Sequence, residues 1–315
     1  LNVALYITFL PQLIAGPIVR YETVANEIKS RKETFDDFSK GTKRFIIGLG
    51  KKIILSNSLA VAADAAFNIE SYTNLSAATA WLGALAYALQ IYFDFGGYSD
   101  MAIGLGLMFG FHFDENFNYP YITKSVSEFW RRWHISLGTW FRDYVYFPLG
   151  GSRVESKGRL VLNLFAVWFL TGIWHGASWN YILWGLLFFV FITFEKLSQY
   201  PKKFKSKAAV TAYRILSLLI ILLGWVLFRA EDLPRAWEYI RCMFCLDHNA
   251  AGDALAAFIL KDSAVIYILG ILFSIPIIPF IAEKTKDSKF KTLLDGLGFA
   301  CLMVIFAASI CFSVT

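Results

Sequence analysis

The chain has 315 residues, of which 57% are hydrophobic and 17% charged, and its mean hydropathy is +0.51. A soluble domain of this size carries about a quarter charged residues, so composition excludes a water-soluble enzyme and reads as an all-α, polytopic membrane protein. The net charge of +6 is assigned to cytoplasmic loops rather than to a nucleic-acid partner.

In chain order, apolar blocks fall near 1–18, 45–67, 77–93, 96–111, 160–174, 178–194, 213–228, 263–282 and 296–314. Leu1–Ile14 reads as the second half of a membrane helix, so the natural protein is expected to extend further N-terminally. Residues 20–44 mix seven cations with five acids and read as an amphipathic cytoplasmic connector.

Between the third and fourth blocks lies Ile91-Tyr92-Phe93-Asp94-Phe95-Gly96-Gly97-Tyr98-Ser99-Asp100. Its adjacent glycines are expected to break the helix. Its two carboxylates serve either a proton path facing a cavity or, through Ser99 or Asp100, a cap for the next helix.

Residues 112–159 are too polar to span. A helical run is expected after Ser127-Glu128, with Trp130, His134, Leu137 and Phe141 on one face by their i, i+4, i+7, i+11 spacing. A basic aromatic helix of this kind ordinarily lies at the membrane surface. Arg131, Arg132 and Arg142 beside His134 either pair with Glu128, Asp143 and lipid phosphate, or meet the phosphates of a bound donor.

The blocks 160–174 and 178–194 are each shorter than the ~20 residues of a straight span. Only His175-Gly176-Ala177 separates them. The turn is therefore expected at membrane depth, as a re-entrant hairpin with His175 at the floor of a cavity. An ionisable ring at that depth is a functional candidate; a core histidine bonded to a helix carbonyl is the alternative. Trp174 and Trp179 are expected to wall the pocket, with Asn180 orienting a ring nitrogen or a substrate carbonyl. His112 and His248 look ordinary.

Loop charge sets an orientation. Residues 196–214 hold six cations and no acid, and 283–291 hold four against two acids, whereas 229–262 holds four cations against six acids. The first two are expected in the cytoplasm and the third outside. Cys242 and Cys245 form a C-x-x-C without a second pair, so neither a disulfide nor a zinc site is expected. No Walker loop, dinucleotide fingerprint, nucleophile elbow or H-E-x-x-H motif is present. Histidine-based membrane chemistry and transport remain.

Several stretches together resemble the membrane-bound O-acyltransferase family, in its bacterial branch of alginate and peptidoglycan O-acetyltransferase membrane subunits. They are Pro11-Gln12-Leu13-Ile14-Ala15-Gly16-Pro17-Ile18-Val19-Arg20, Tyr92-Phe93-Asp94-Phe95 with Gly97-Tyr98-Ser99-Asp100-Met101-Ala102-Ile103-Gly104, Glu115-Asn116-Phe117-Asn118 with Pro120-Tyr121, Glu128-Phe129-Trp130-Arg131-Arg132-Trp133-His134-Ile135-Ser136-Leu137, Tyr144-Val145-Tyr146, Leu149-Gly150-Gly151, Trp174-His175-Gly176-Ala177 and Phe228-Arg229-Ala230. Gly96 departs from the pattern, since many relatives carry Ser there.

The resemblance implies tilted and re-entrant helices around a central tunnel, with residues 1–315 forming one membrane domain and a catalytic core near 90–195. It implies His175 as the essential histidine and His134 as the second polar position. The pocket would be formed by Tyr98, Asp100, Trp130, Arg131, Arg132, Trp174, Trp179 and Asn180. No permanently bound cofactor is expected. Acetyl-CoA is the expected donor, and the acceptor is an extracytoplasmic polysaccharide or a partner acetyltransferase, reached from a bacterial cytoplasmic membrane. Two other readings stay open: a proton-coupled or lipid-linked-sugar transporter using the histidines with Asp94 and Asp100 as a relay, and a non-catalytic scaffold for an envelope assembly.

Overall fold

A computed structural model describes residues 2–9, 16–247 and 249–314; Pro11–Ala15 of the first resembling stretch and His248 lie outside them. In chain order the α-helices are α1 (Asn2–Ile7), α2 (Tyr21–Ser30), α3 (Phe35–Gly50), α4 (Asn57–Phe67), α5 (Ala77–Met108), α6 (Val126–Trp130), α7 (Ile135–Phe141), α8 (Lys157–His175), α9 (Trp179–Ser198), α10 (Lys207–Arg229), α11 (Leu233–Met243), α12 (Ala254–Phe273), α13 (Ile277–Thr285) and α14 (Lys291–Val314). Among the described residues there is no strand. Five helical stretches are long and apolar enough to cross a bilayer: Phe35–Phe67, Trp179–Ser198, Lys207–Arg229, Ala254–Phe273 and Lys291–Val314. The chain is a multi-pass, all-helical membrane protein.

The residues form two compact units: one of 1–59, 89–118 and 266–315, the other of 60–88 and 119–265. In the first, α3 continues through a π-helical stretch at Lys51–Ser56 into α4, and it packs along α5 on a seam of glycines. A Cβ at Gly48 would lie 2.6 Å from the carbonyl of Gly97, and one at Gly104 would lie 2.6 Å from that of Gly41. Only hydrogen fits, and the two backbones touch directly. The expected break at Gly96-Gly97 is therefore absent. α5 runs unbroken through it, because Gly97 serves helix-to-helix approach rather than a turn. Ser99 and Asp100 consequently cap nothing. Ser99 is buried and accepts a hydrogen bond from Asn116 Nδ2 at 3.0 Å.

Two more boundaries differ from expectation. The apolar block 263–282 is not one span: α12 ends at Phe273 and α13 begins at Ile277. Pro276, which lacks an amide hydrogen and restricts the residue before it, stands between them. α12 in turn starts nine residues earlier than the block, because Asp253 caps it. The Asp253 carboxylate accepts from the Ala256 amide at 2.7 Å and from the Thr79 hydroxyl at 2.6 Å. One side chain thus ties the starts of α5 and α12 together in the second unit.

The hairpin expected to be short is also full length. Lys157–Arg159 and Glu195–Ser198 extend the two apolar blocks, giving α8 19 residues and α9 20, each about 30 Å long. Of the two, α9 is among the five stretches able to cross a bilayer and α8 is not. The helices close on Gly172 and Gly185: a Cβ at Gly172 would fall 2.7 Å from the Tyr181 carbonyl, and one at Gly185 would strike that of Trp168.

Candidate active site

The site is built within the second unit. Ser125 starts α6, its hydroxyl accepting from the Glu128 amide at 3.1 Å, while the Glu128 carboxylate accepts from the Lys124 amide at 3.0 Å. This reciprocal arrangement is close to a capping box. Glu128 also accepts from Arg132, at 3.1 and 3.0 Å. Burial alone would raise the Glu128 carboxyl, but the Lys124 amide and the Arg132 guanidinium outweigh it and hold the group below its usual range. Arg132 is thus occupied by Glu128, one turn back.

The continuous helix expected over 127–141 does not form. α6 stops at Trp130, a turn follows, and α7 begins at Ile135. The pivot is His134, with φ 44° and ψ 54°, a left-handed conformation uncommon for a residue with a Cβ. Trp133 stacks on Phe129 at 5.5 Å, the i, i+4 contact of the turn just before the break, and lies 4.7 Å from the ring of Trp225. Leu137 and Phe141 remain together on the buried side of α7, but Trp130 and His134 are no longer on their face.

His134 is 7% exposed and lies outside the five spans. Burial, and next the nearby His175, push its imidazole down to about 3, so it is neutral at ordinary pH. It borders a cavity of about 500 Å³. Ser127, Arg131, Thr139, Arg142, Tyr146 and Thr171 are polar residues of the cavity lining, and apolar side chains of α6, α7, α8 and α9 complete the wall.

His175 is the last residue of α8. Its ring is half-buried among aromatic edges: Trp174 at 4.8 Å, Trp184 at 4.9 Å and Phe228 at 5.2 Å. Its ring nitrogens make no hydrogen bond among the described residues, unlike a core histidine held by a helix carbonyl. His134 borders the 500 Å³ cavity and His175 does not. Trp174 joins the two, its ring lying 6.4 Å from that of His134. The indole N–H groups of Trp130, Trp184 and Trp225 are buried without hydrogen-bond partners, so donors surround the histidines that nothing in the protein consumes.

Other expected pocket residues separate by position. Asn180 is 2% exposed and its Nδ2 donates to the Ala230 carbonyl at 2.7 Å. This joins the start of α9 to the end of α10, where Phe228 meets the His175 ring. Its Oδ1 is buried without a partner. Trp179 is 67% exposed and is not part of the cavity wall.

Tyr98 and Asp100 belong to the other unit. There Asp100 accepts from Arg44 at 2.8 and 3.0 Å and from Lys51 at 2.6 Å. Lys52 pairs with Asp94, and Glu115 with Arg44. Both carboxylates of the proposed proton relay are thus engaged by cations. His112 lies 3.9 Å from carboxylate oxygens of Glu27 and Asp37.

Sequence reading missed Trp184, Trp168 and Tyr146. In an antiparallel hairpin turning at Gly176–Ser178, reflection about the turn pairs Trp184 with Leu170, more than one helical turn before His175, so symmetry alone does not bring its ring to the histidine.

The family model described as MBOAT, membrane-bound O-acyltransferase family, matches residues 1–232. The chain belongs to the membrane-bound O-acyltransferase family. It is 46% identical over 244 residues to the probable alginate O-acetylase AlgI of Azotobacter vinelandii, covering 76% of this chain and 47% of that protein. It is 39% identical over 254 residues to the peptidoglycan O-acetyltransferase of Helicobacter pylori, covering 78% and 47%. To the teichoic acid D-alanyltransferase of Bacillus subtilis it is 33% identical over 210 residues, covering 64% and 53%. The chain thus spans about half the length of these curated relatives. Both histidines fall within the stretch matched by the family model.

Proposed function

We propose that this membrane-bound O-acyltransferase chain carries out acyl transfer to a hydroxyl, with His175 as the general base and His134 beside the acyl donor. The donor is acetyl-CoA. The acceptor is a hydroxyl of an extracytoplasmic polysaccharide or of a partner acetyltransferase, and the location is a bacterial cytoplasmic membrane. The observation that carries the reading is the pair of histidines flanking one indole, the first bordering a cavity and the second without a hydrogen bond.

In the proposed step, a nitrogen of His175 takes the proton of the acceptor hydroxyl as its oxygen attacks the thioester carbonyl. The C–O bond forms, the C–S bond breaks, and the leaving thiolate receives the proton from the imidazolium. Neutral His134 donates a hydrogen bond to the carbonyl oxygen as negative charge develops there. The indole of Trp184 walls the base and limits water entry, which disfavours hydrolysis of the donor. Arg131, with no carboxylate one turn back to occupy it, faces the donor phosphates. The catalytic core is proposed at 90–195 of a single 1–315 membrane domain. Tyr98 and Asp100, which belong to the other unit, are given no step.

The test is O-acetyl ester formation by membranes supplied with acetyl-CoA. His175→Ala is expected to lose transfer by about a hundredfold or more while membrane abundance is unchanged. Undiminished transfer by that variant would overturn the assignment.

A further inference from the structure

The second unit contains a buried carboxylate that the reaction does not use. Glu195 sits in the last turn of α9 and is 4% exposed. A carboxylate in an apolar helix is costly unless its oxygens are matched. Here each oxygen accepts one backbone N–H: Oε1 that of Val126 and Oε2 that of Ser127, both at 2.8 Å. Tyr213 of α10 donates its hydroxyl to Oε1 at 3.0 Å. Val126 and Ser127 are the first two residues of α6, whose far end carries Trp130 and, after the turn, His134.

We infer that Glu195 is a positioning residue that sets the axial register of α6 against α9, and through it the place of His134. Ring packing alone does not fix that register. Trp130 lies against Trp168, Trp184 and Phe188 at 4.9–5.4 Å, an apolar surface that tolerates sliding. The two amides, by contrast, have one acceptor oxygen each. A slip of one residue moves α6 by about 1.5 Å and rotates it by about 100°. The second amide would then lose its acceptor, and His134 would leave the edge of Trp174. A buried polar match that costs some stability and specifies one alignment is the best-attested use of such groups. Glu195 acts at a distance from the chemistry: it lies fifteen residues along α9 from Asn180, about 22 Å by helical rise.

The inference rests on the reading of His134 as part of the active site, and the experiment separates the two. In membranes carrying the full protein and supplied with acetyl-CoA, Glu195→Gln keeps the side chain's shape but turns one acceptor into a donor facing the Ser127 amide. The expected result is a kcat at least tenfold lower, with the KM for acetyl-CoA within twofold, because misplacement by about an ångström is expensive in rate. Tyr213→Phe removes a bond to the same carboxylate without touching α6 and is expected to keep kcat within twofold, even if both variants lose similar thermal stability. Glu195→Gln with wild-type kcat, or a loss that merely tracks the folded fraction, would overturn the register role. Full activity in His134→Ala would instead overturn the site reading, and the inference with it.

Discussion

The two units handle polar groups in opposite ways. Along α3 and α5 the charged groups are consumed by structure: Asp100 holds Arg44 and Lys51, Asp94 holds Lys52, and Glu115 closes on Arg44. Around the α8–α9 hairpin, by contrast, three indole N–H groups, the amide oxygens of Asn163 and Asn180, the Thr193 hydroxyl and the His175 ring are left unmatched. Ion pairs in a partly apolar setting are hard to break and poor at exchanging protons. Unmatched donors cost stability and await a ligand. Polar deletions should therefore weaken the fold in one unit and the chemistry in the other.

Four experiments probe that contrast, from the largest expected effect to the smallest. Asp100→Asn strands two cations and is expected to lower unfolding free energy by about 2–3 kcal/mol. This is less than for a fully buried pair, since the Arg44 and Lys51 side chains keep about a quarter of their exposure. Residual folded protein should retain its kcat; a variant of full stability and no activity would invert the comparison.

Trp184→Phe removes an unsatisfied donor beside His175. It is expected to change stability by no more than about 1 kcal/mol yet to cut transfer about tenfold, read as O-acetyl ester formed per folded molecule. His134→Gly and His134→Ala both delete the ring, but only glycine fits φ 44° without strain. The glycine variant should be the more stable of the two by about 1 kcal/mol, with transfer equally impaired in both; equal melting temperatures would show that the pivot stores no strain.

The smallest effect concerns Asp253. Burial raises its carboxyl, but hydrogen bonds from the Thr79 hydroxyl and from the Ala256 and Ser76 amides outweigh this and hold it below its usual value. A depressed carboxyl contributes stability above its unfolded pKa and loses it as pH falls through the folded one. Thermal stability should thus drop below the ordinary carboxylate range, by less in Asp253→Asn than in the parent chain.

Much of this was legible in the residues. Helical membrane class, the placing of His175 at a hairpin turn and the pairing of two tryptophan-flanked histidines all follow from block length, charge and motif. What stayed hidden was tertiary. Gly96-Gly97 reads as a breaker in isolation, and only the carbonyl of Gly48 opposite explains an unbroken α5. The run from Ser127 to Phe141 has helical spacing, and nothing in that spacing marks the left-handed break at His134. Asp253 and Glu195 look like ordinary loop and helix-end acids. The cap that Asp253 makes on Ala256 is local, but its tie to α5 runs through the Thr79 hydroxyl 174 residues away and the Ser76 amide 177 away, and Glu195 is matched by amides 68 and 69 residues away.

The glycine seam has a consequence for genetics. At Gly41, Gly48, Gly97 and Gly104 the nearest opposing atoms are mainly backbone carbonyl oxygens and amide nitrogens, which every amino acid carries. A larger residue at any of the four therefore cannot be compensated by trimming a side chain on the facing helix, as a steric clash in a side-chain core can. A suppressor screen begun from Gly97→Val should return true revertants and few second-site alleles in Gly41–Lys52.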